Sequence, residues 1–292
     1  MSIFVADDAQ LAAANESAPE GELIKLLPKR FTAPIAPRNR HVTYEASGAT
    51  VPSLSVYRDF TRVIGATVEG TLTVQDCQGA ELRALTILGG ELAANRMLWL
   101  IRNASGILFS GIRSYANLGS ASECRGRYFY STSNSAIQDC VTVIEYVGPN
   151  NGEQFVHNVR DKSSGNTFER DTILAGLNSP KEWARMLMLA TSGSYPATSP
   201  RNTYRDCHYA CSGMIYLQDN VADWTLERST FQSAVEFRTN RMDRVLIDRC
   251  QFHGGFIEDS GGRSTGSLKD CLFVGGFTSS SPFVKVANRE VA

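Results

Sequence analysis

Apolar residues in this chain recur in short alternating runs broken by Gly, Asn and Ser, the pattern of half-buried strands and tight turns. One four-residue pattern returns along the chain: an apolar residue, two polar ones, then a small residue that is often cysteine. Its members are Val74-Gln75-Asp76-Cys77, Ile137-Gln138-Asp139-Cys140, Phe168-Glu169-Arg170-Asp171 and Tyr204-Arg205-Asp206-Cys207. Leu226-Glu227-Arg228-Ser229, Ile247-Asp248-Arg249-Cys250 and Leu268-Lys269-Asp270-Cys271 continue it, and Phe109-Ser110-Gly111-Ile112 is a less polar member. First positions at 74, 109, 137, 168, 204, 226, 247 and 268 are separated by 35, 28, 31, 36, 22, 21 and 21 residues. Late intervals of 21 or 22 with longer ones before them describe a fixed coil that carries loop insertions. Between members lie β-type runs such as Trp224-Thr225-Leu226, Thr230-Phe231 and Ala234-Val235-Glu236-Phe237. Three short strands in about 21 residues make one turn of a right-handed parallel β-helix, whereas propeller blades need about 40 residues and other solenoids a recurring helix. The predicted fold is therefore all-β, a right-handed parallel β-helix in one domain.

An open solenoid end exposes its core unless it is capped. Residues 7–18 are helix-compatible, with Leu11 and alanines on one side, and Pro19, Gly21, Glu22, Ile24, Leu26, Lys29 and Phe31 follow. This stretch resembles the opening of the pectate-lyase-like β-helix superfamily, a short capping helix before a P-G-D-x-I-x-L-x-x-G-x-Y strand. Pro19, Gly21, Ile24, Leu26 and Phe31 match, while Glu22 replaces the Asp and Lys29 the second Gly. The resemblance implies a cap and first strand over 1–30 and a β-helix over 31–292. It also implies three strands per coil, with the repeated motif at the second strand and its turn. Enzymes, epimerases and phage tailspikes share that superfamily, and this chain is nearest in character to the spikes. The end of the chain is expected to be less regular, with residues 283–286 pairing either with the preceding coil or with another subunit.

Coils stack at the ordinary strand spacing of about 4.8 Å. Cys77, Cys140, Cys207, Cys250 and Cys271 are thus expected on one interior column. A ladder of small buried thiols is the favoured reading over a metal or redox site, although neighbouring Cys250 and Cys271 fall within bridging reach.

The first strand of each coil is expected about a dozen residues before the motif, at 97–101, 127–130, 155–157, 185–189, 215–217, 235–237 and 257–258. Alternation with Phe129, Leu187, Leu189, Ile215, Leu217, Val235, Phe237 and Ile257 inside leaves Tyr128, Tyr130, Tyr216, Glu236 and Glu258 outside. Longer loops, including 148–152 and 192–200, would wall this face. Tyr128, Tyr130, His157, Trp183, Arg185, Tyr216 and Arg238 are the candidate carbohydrate-binding residues: rings stack on sugars while charged groups bond hydroxyls or uronates. Glu236 and Glu258, on adjacent coils, are the candidate catalytic pair. Carboxyls about 5 Å apart suit a retaining glycosidase, and two like charges that close split into an acid and a base. A solvated face balanced by Arg238 and Arg263 is the plainer alternative. A lyase would draw on His157, Lys162, Lys181 and Arg185, with Glu153 and Asp161 as calcium ligands. The polygalacturonase N-T-D and G-H-G and the epimerase D-P-H-D are absent from the sequence.

Composition narrows the partners. The 292 residues carry a formal net charge of −1, which lacks the footprint of a general nucleic-acid binder. No apolar run approaches the 18 or so residues of a membrane span, and residues 1–8 show no signal peptide. Seven cysteines without a CxxC pair suggest reduced thiols in a chain folded in a cytoplasm. Lys25, Lys29, Lys162, Lys181, Lys269 and Lys285 are the lysines, so 23 of the 29 basic residues are arginine. Arginine suits planar contacts with acidic glycans or subunits, and compositional bias is the other explanation. No cofactor and no metal is implied. The expected function is a glycan-binding structural or adhesion spike of a phage or phage-like particle, recognising host surface polysaccharide, with a homotrimer and other virion proteins as the expected partners. The alternative is a lyase or glycoside hydrolase acting on an acidic polysaccharide.

Overall fold

The computed structural model describes residues 2–92, 96–119, 125–148, 155–160, 162–176, 178–179, 185–190 and 201–291, apart from the side chains of 187–190, 218–221 and 238–241. Among the described residues, strands form three parallel sheets of thirteen, eleven and ten members, numbered here sheets 1, 2 and 3. The chain visits them in rotation, as in Thr225–Glu227 (sheet 1), Thr230–Phe231 (sheet 2), Val235–Asp243 (sheet 3) and Val245–Asp248 (sheet 1). The result is a right-handed parallel β-helix, as the repeat predicts.

The helix Asp8–Ser17 lies at the expected place. Asp7 caps it by accepting the Gln10 N–H at 2.8 Å, and the Gln10 side chain accepts the Ala6 N–H. This reciprocal box satisfies donors that a helix start otherwise leaves open. Leu11 and Ala14 are its buried positions. A strand that the sequence reading did not identify, Ser2–Val5, precedes the helix and pairs with Leu23–Leu26. At the other end, Val284–Val286 pairs with Gly266–Lys269 of the preceding coil.

Turns from sheet 1 to sheet 2 explain the repeated motif. In each, one residue adopts a left-handed conformation and the next points inward: Asp139 then Cys140, Arg170 then Asp171, Asp206 then Cys207, Arg228 then Ser229, Arg249 then Cys250, Asp270 then Cys271. Aspartate tolerates that backbone better than most residues do. The arginines answer it from the next coil, Arg170 gripping Asp139 and Arg228 gripping Asp206 with two prongs each, at 2.6–3.0 Å. A planar fork that spans one rung is a local reason for arginine over lysine.

Cys77 corrects the expected column. Val74 lies in sheet 3, in Leu72–Gln75, so Cys77 belongs to the turn from sheet 3 to sheet 1, level with Ala104, Thr132 and Ser163. The sheet 1 series runs instead through Tyr44, Val63, Leu82 and Phe109. Asparagines stack in that other turn: Asn166 accepts from the Ser135 N–H and Asn202 from the Asn166 N–H.

The six described cysteines are free thiols, Cys250 and Cys271 among them. Those in the core donate weakly to backbone carbonyls, as Cys207 does to Arg205 at 3.3 Å. Burial pushes the thiols of Cys77, Cys140 and Cys207 up to about 12. Since the thiolate is the nucleophile, these positions should resist alkylation at pH 8 in the folded protein. Mass spectrometry after iodoacetamide treatment should show them modified only after denaturant is added, and rapid native labelling would contradict the placement.

Candidate functional site

Sheet 3 presents the expected outer face. Its register aligns Leu100, Tyr128, Asn158, Leu187, Tyr216, Glu236 and Ile257 in one row across the coils. Two residues farther along, or three on Arg185–Ala190 where the register shifts, a second row joins Arg102, Tyr130, Arg160, Ala190, Gln218 and Arg238. Tyr128 and Tyr130 sit half-buried on Arg125–Tyr130, their ring centroids 6.0 Å apart. The Arg125 guanidinium lies 4.5 Å from the Tyr128 ring and that of Arg102 lies 5.6 Å from the Tyr130 ring. Such stacking holds a cation by the ring's quadrupole and fixes both groups in place.

Several expected members of the face are elsewhere. Tyr216 points outward but is only 7% exposed, its ring packed with Phe155 and Met214 and its hydroxyl 3.5 Å from the Met214 sulfur. Arg185 opens the strand Arg185–Ala190 opposite Phe155 and is half-buried. Trp183, Lys181, Glu153, Asp161 and most of the expected loop walls lie outside the described residues, as does the Arg238 side chain. Lys162 is an exposed turn residue with positive φ.

Glu258 is the main correction. Glu236 faces Ile257 across the sheet, and Glu258 faces the core residue Phe237. Ile257 is 42% exposed and Glu258 is buried, the reverse of the expected alternation. The cause is a one-residue difference in register, which in a strand exchanges inside for outside. Within the last coils Glu258 is an acceptor, receiving N–H groups from Ser260 and Ser281 at 3.0 and 3.1 Å and hydroxyls from Ser279 and Ser281 at 2.8 and 3.0 Å. Burial pushes its carboxyl up, but the hydrogen bonds from Ser260, Ser279 and Ser281 prevail and hold it below its ordinary value. Glu236 and Glu258 therefore do not form an acid–base pair on the surface.

His157 is corrected in the same way. It shares an interior row with Trp99, Arg127 and Met186 and is fully buried. Phe129 and Phe168 meet its ring edge-on, at 5.8 and 5.4 Å. Burial first, and then the Arg127 charge, keep the imidazole well below its ordinary value, hence neutral. It cannot contact a ligand on the outer face.

Next to it the core holds a buried ion pair that the sequence reading did not anticipate. The Arg127 guanidinium binds both oxygens of Asp171, with Nη1 at 2.9 and 2.7 Å, and its Nε donates to Thr142 at 3.1 Å. Tyr209 donates its hydroxyl to the same carboxylate at 2.9 Å, and the guanidinium lies 4.7 Å from the Trp99 ring. Both charges are fully buried. Burial pushes the Asp171 carboxyl up, opposed by Arg127 and Tyr209, while burial of Arg127 is outweighed by Asp171 and the guanidinium stays charged. Alternation from Phe129 already places Arg127 inside, and Asp171 occupies a cysteine position of the repeat, so both signals were present in the sequence.

Asn158 is a further residue the sequence reading passed over. It stands in the outer row beside Tyr128 and is fully buried, and neither atom of its amide has a hydrogen-bond partner among the described residues.

No family model matches the sequence, and no curated protein matches it either. Among solved structures, PfbA, a surface adhesin of Streptococcus pneumoniae, superposes with a TM-score of 0.52 at 9% identity, over 99% of this chain and 93% of that one. An alginate lyase from a Paenibacillus species gives a TM-score of 0.43 at 10% identity, over 100% and 99% of the two chains. The Dettilon tailspike protein gives 0.40 at 11% identity, over 99% of this chain and 62% of the tailspike. At such identities a likeness speaks for architecture and not for activity. This chain has a right-handed parallel β-helix fold, the architecture it shares with the adhesin PfbA.

Proposed function

We propose that the chain binds a polysaccharide along the outer face of sheet 3 without cleaving it, as an adhesion or spike component. The observation that carries this reading is the pairing of Tyr128 with Arg125 and of Tyr130 with Arg102 on one strand and its neighbour. Fixed rings offer apolar faces to sugar C–H groups, and the exposed Arg102 guanidinium offers paired donors to hydroxyls or carboxylates, while the buried Arg125 holds the Tyr128 ring in place. A glycosidase on the same face would need a second carboxylate near Glu236, where the register places Ile257. That a surface adhesin is built on the same fold fits a binding role. The particle is proposed to be a phage or phage-like virion, with the spike a homotrimer attached to a host surface polysaccharide.

The test is to incubate the purified protein with a panel of acidic and neutral polysaccharides and follow chain length and co-migration together. Intact chains that travel with the protein are expected. Tyr128→Ala should weaken that association at least about tenfold, roughly 1.4 kcal/mol, at an unchanged melting temperature. Shortened chains would replace the binding reading with an enzymatic one, and chains neither shortened nor bound would remove the glycan. Mass in solution tests the trimer separately.

A further inference from the structure

Sheet 2 carries a feature unrelated to the face of sheet 3. Three consecutive strands there, Thr86–Leu92, Arg113–Leu118 and Val141–Val147, have six or seven residues, whereas Thr172–Ala175, His208–Cys211 and Thr230–Phe231 have two to four. The register shifts between Leu88 and Gly90 and again between Ala116 and Leu118. Bulges of this kind re-aim side chains and gather near functional sites. Here they open a concavity of about 290 Å³. Its floor is the outward row Leu88, Tyr115 and Val143, and Asn117 and Glu145 stand at its edge. Leu88 and Tyr115 are 41% and 42% exposed, which is high for side chains of that size at the middle of a sheet.

The charge at this place is unusual for the molecule. Asp139 and Asp206, acids of the sheet 1 to sheet 2 turns, are gripped by arginines of the next coil. Glu145, in the lining, is exposed and makes no ion pair with any described residue, whereas Glu91, paired in register with Asn117, lines a neighbouring concavity together with Arg96. Arg113 is exposed two residues back along the strand from Tyr115, and it is outside the lining. An aromatic face with aliphatic neighbours receives the apolar side of a pyranose ring. The Glu145 carboxylate beside it selects a cationic substituent, because an ammonium group then makes charge-assisted hydrogen bonds and a carboxylate is repelled.

We propose that this concavity is a second glycan site, one that takes a sugar unit bearing a free amino group, its ring on Tyr115 and its ammonium group against Glu145. It is independent of the site on sheet 3 and of opposite charge preference.

The test is calorimetric titration of the intact chain with a fully deacetylated chitosan tetramer and with its N-acetylated counterpart. The deacetylated tetramer should bind at least about tenfold more tightly. Glu145→Gln and Tyr115→Ala should each weaken it about tenfold or more, as should raising salt from about 0.1 M to about 1 M, which shortens the Debye length from about 10 Å to about 3 Å. Leu88→Ala, at another exposed position of the lining, gives a second reading should either variant melt early, and Glu91→Gln, outside the lining, should leave the titration unchanged. Tyr128→Ala should leave the titration unchanged, so failure here is separable from failure of the sheet 3 reading. Equal binding of both tetramers overturns the proposal. So does wild-type binding by the Glu145 and Tyr115 variants, or an equal loss on Glu290→Gln, an exposed acid at the far end of sheet 2, which would mark diffuse charge attraction only.

Discussion

Replacing Arg127 with leucine is expected to lower stability by about 3–5 kcal/mol, the cost of leaving a buried carboxylate without its partner. Among the described residues Asp171 would keep only the Tyr209 hydroxyl, in a core that contains Trp99, Phe129, Phe168 and the neutral His157. The Arg127→Leu, Asp171→Leu double variant should recover most of that loss. Removing both charges also removes both desolvation penalties, and buried pairs exchanged for apolar residues are often neutral or better. Urea unfolding monitored by circular dichroism reads both effects. A single variant within about 1 kcal/mol of the parent, the range of exposed pairs, would mean that water reaches the pair. The experiment also asks what the pair is for. A double variant that folds as stably but loses its sharp transition would show that these charges hold one coil register against its neighbours.

Glu258→Leu is expected to cost about 3–5 kcal/mol, since the buried N–H groups of Ser260 and Ser281 would each lose an acceptor, at about 1–3 kcal/mol apiece, together with the serine hydroxyls. Hydrogen exchange should locate the loss in the final coils, leaving the protection of coils near Tyr44 intact. Glu258→Gln, which keeps the shape and one carbonyl oxygen, should cost less. The pH dependence follows from the depressed carboxyl. Its stabilisation is complete above the ordinary glutamate value and is lost as pH falls through the lower folded-state value. Acid unfolding of Glu258→Gln should therefore be flatter than the parent's below about pH 4.3. A residue with a catalytic role would behave differently: the glutamine variant would lose turnover and keep its stability.

Much of the architecture was legible because a solenoid writes its period into the sequence. The 21-residue intervals at Leu226, Ile247 and Leu268 are the true rungs of sheet 1. The same interval carries Val235 to Phe256 in sheet 3, which alone suffices to put Glu236 opposite Ile257. Pairing Glu236 with Glu258 used an interval of 22, and a preference for a carboxylate pair outweighed the period. The Cys77 error has another origin. At Leu82 the motif runs on to Ala84 and Leu85, which satisfy the turn without its polar and cysteine signature. Val74 happened to carry that signature on a different sheet. Long-range polar contacts were the least legible, since Arg127 on sheet 3 and Asp171 in a turn from sheet 1 to sheet 2 meet 44 residues apart. The concavity on sheet 2 was hidden for a related reason. It is made by bulges, and a bulge breaks the strict alternation by which outward residues are recognised.

The two-residue turn from sheet 1 to sheet 2 bears on how such a molecule changes size. Because each coil touches chiefly its neighbours, stability adds up rung by rung. From Leu226 to Ile247 the chain completes one period, and the residues on either side of that period present equivalent surfaces, Tyr204 below and Leu268 above. Excising residues 226–246 would set Ile247 where Leu226 now sits, over Tyr204, with Phe252 over Tyr209 and Phe256 over Ile215. Duplicating them would insert a rung of the same geometry. The length of the rod is therefore quantised: ancestry or design can lengthen or shorten it by whole coils, carrying the faces of all three sheets along without redrawing either.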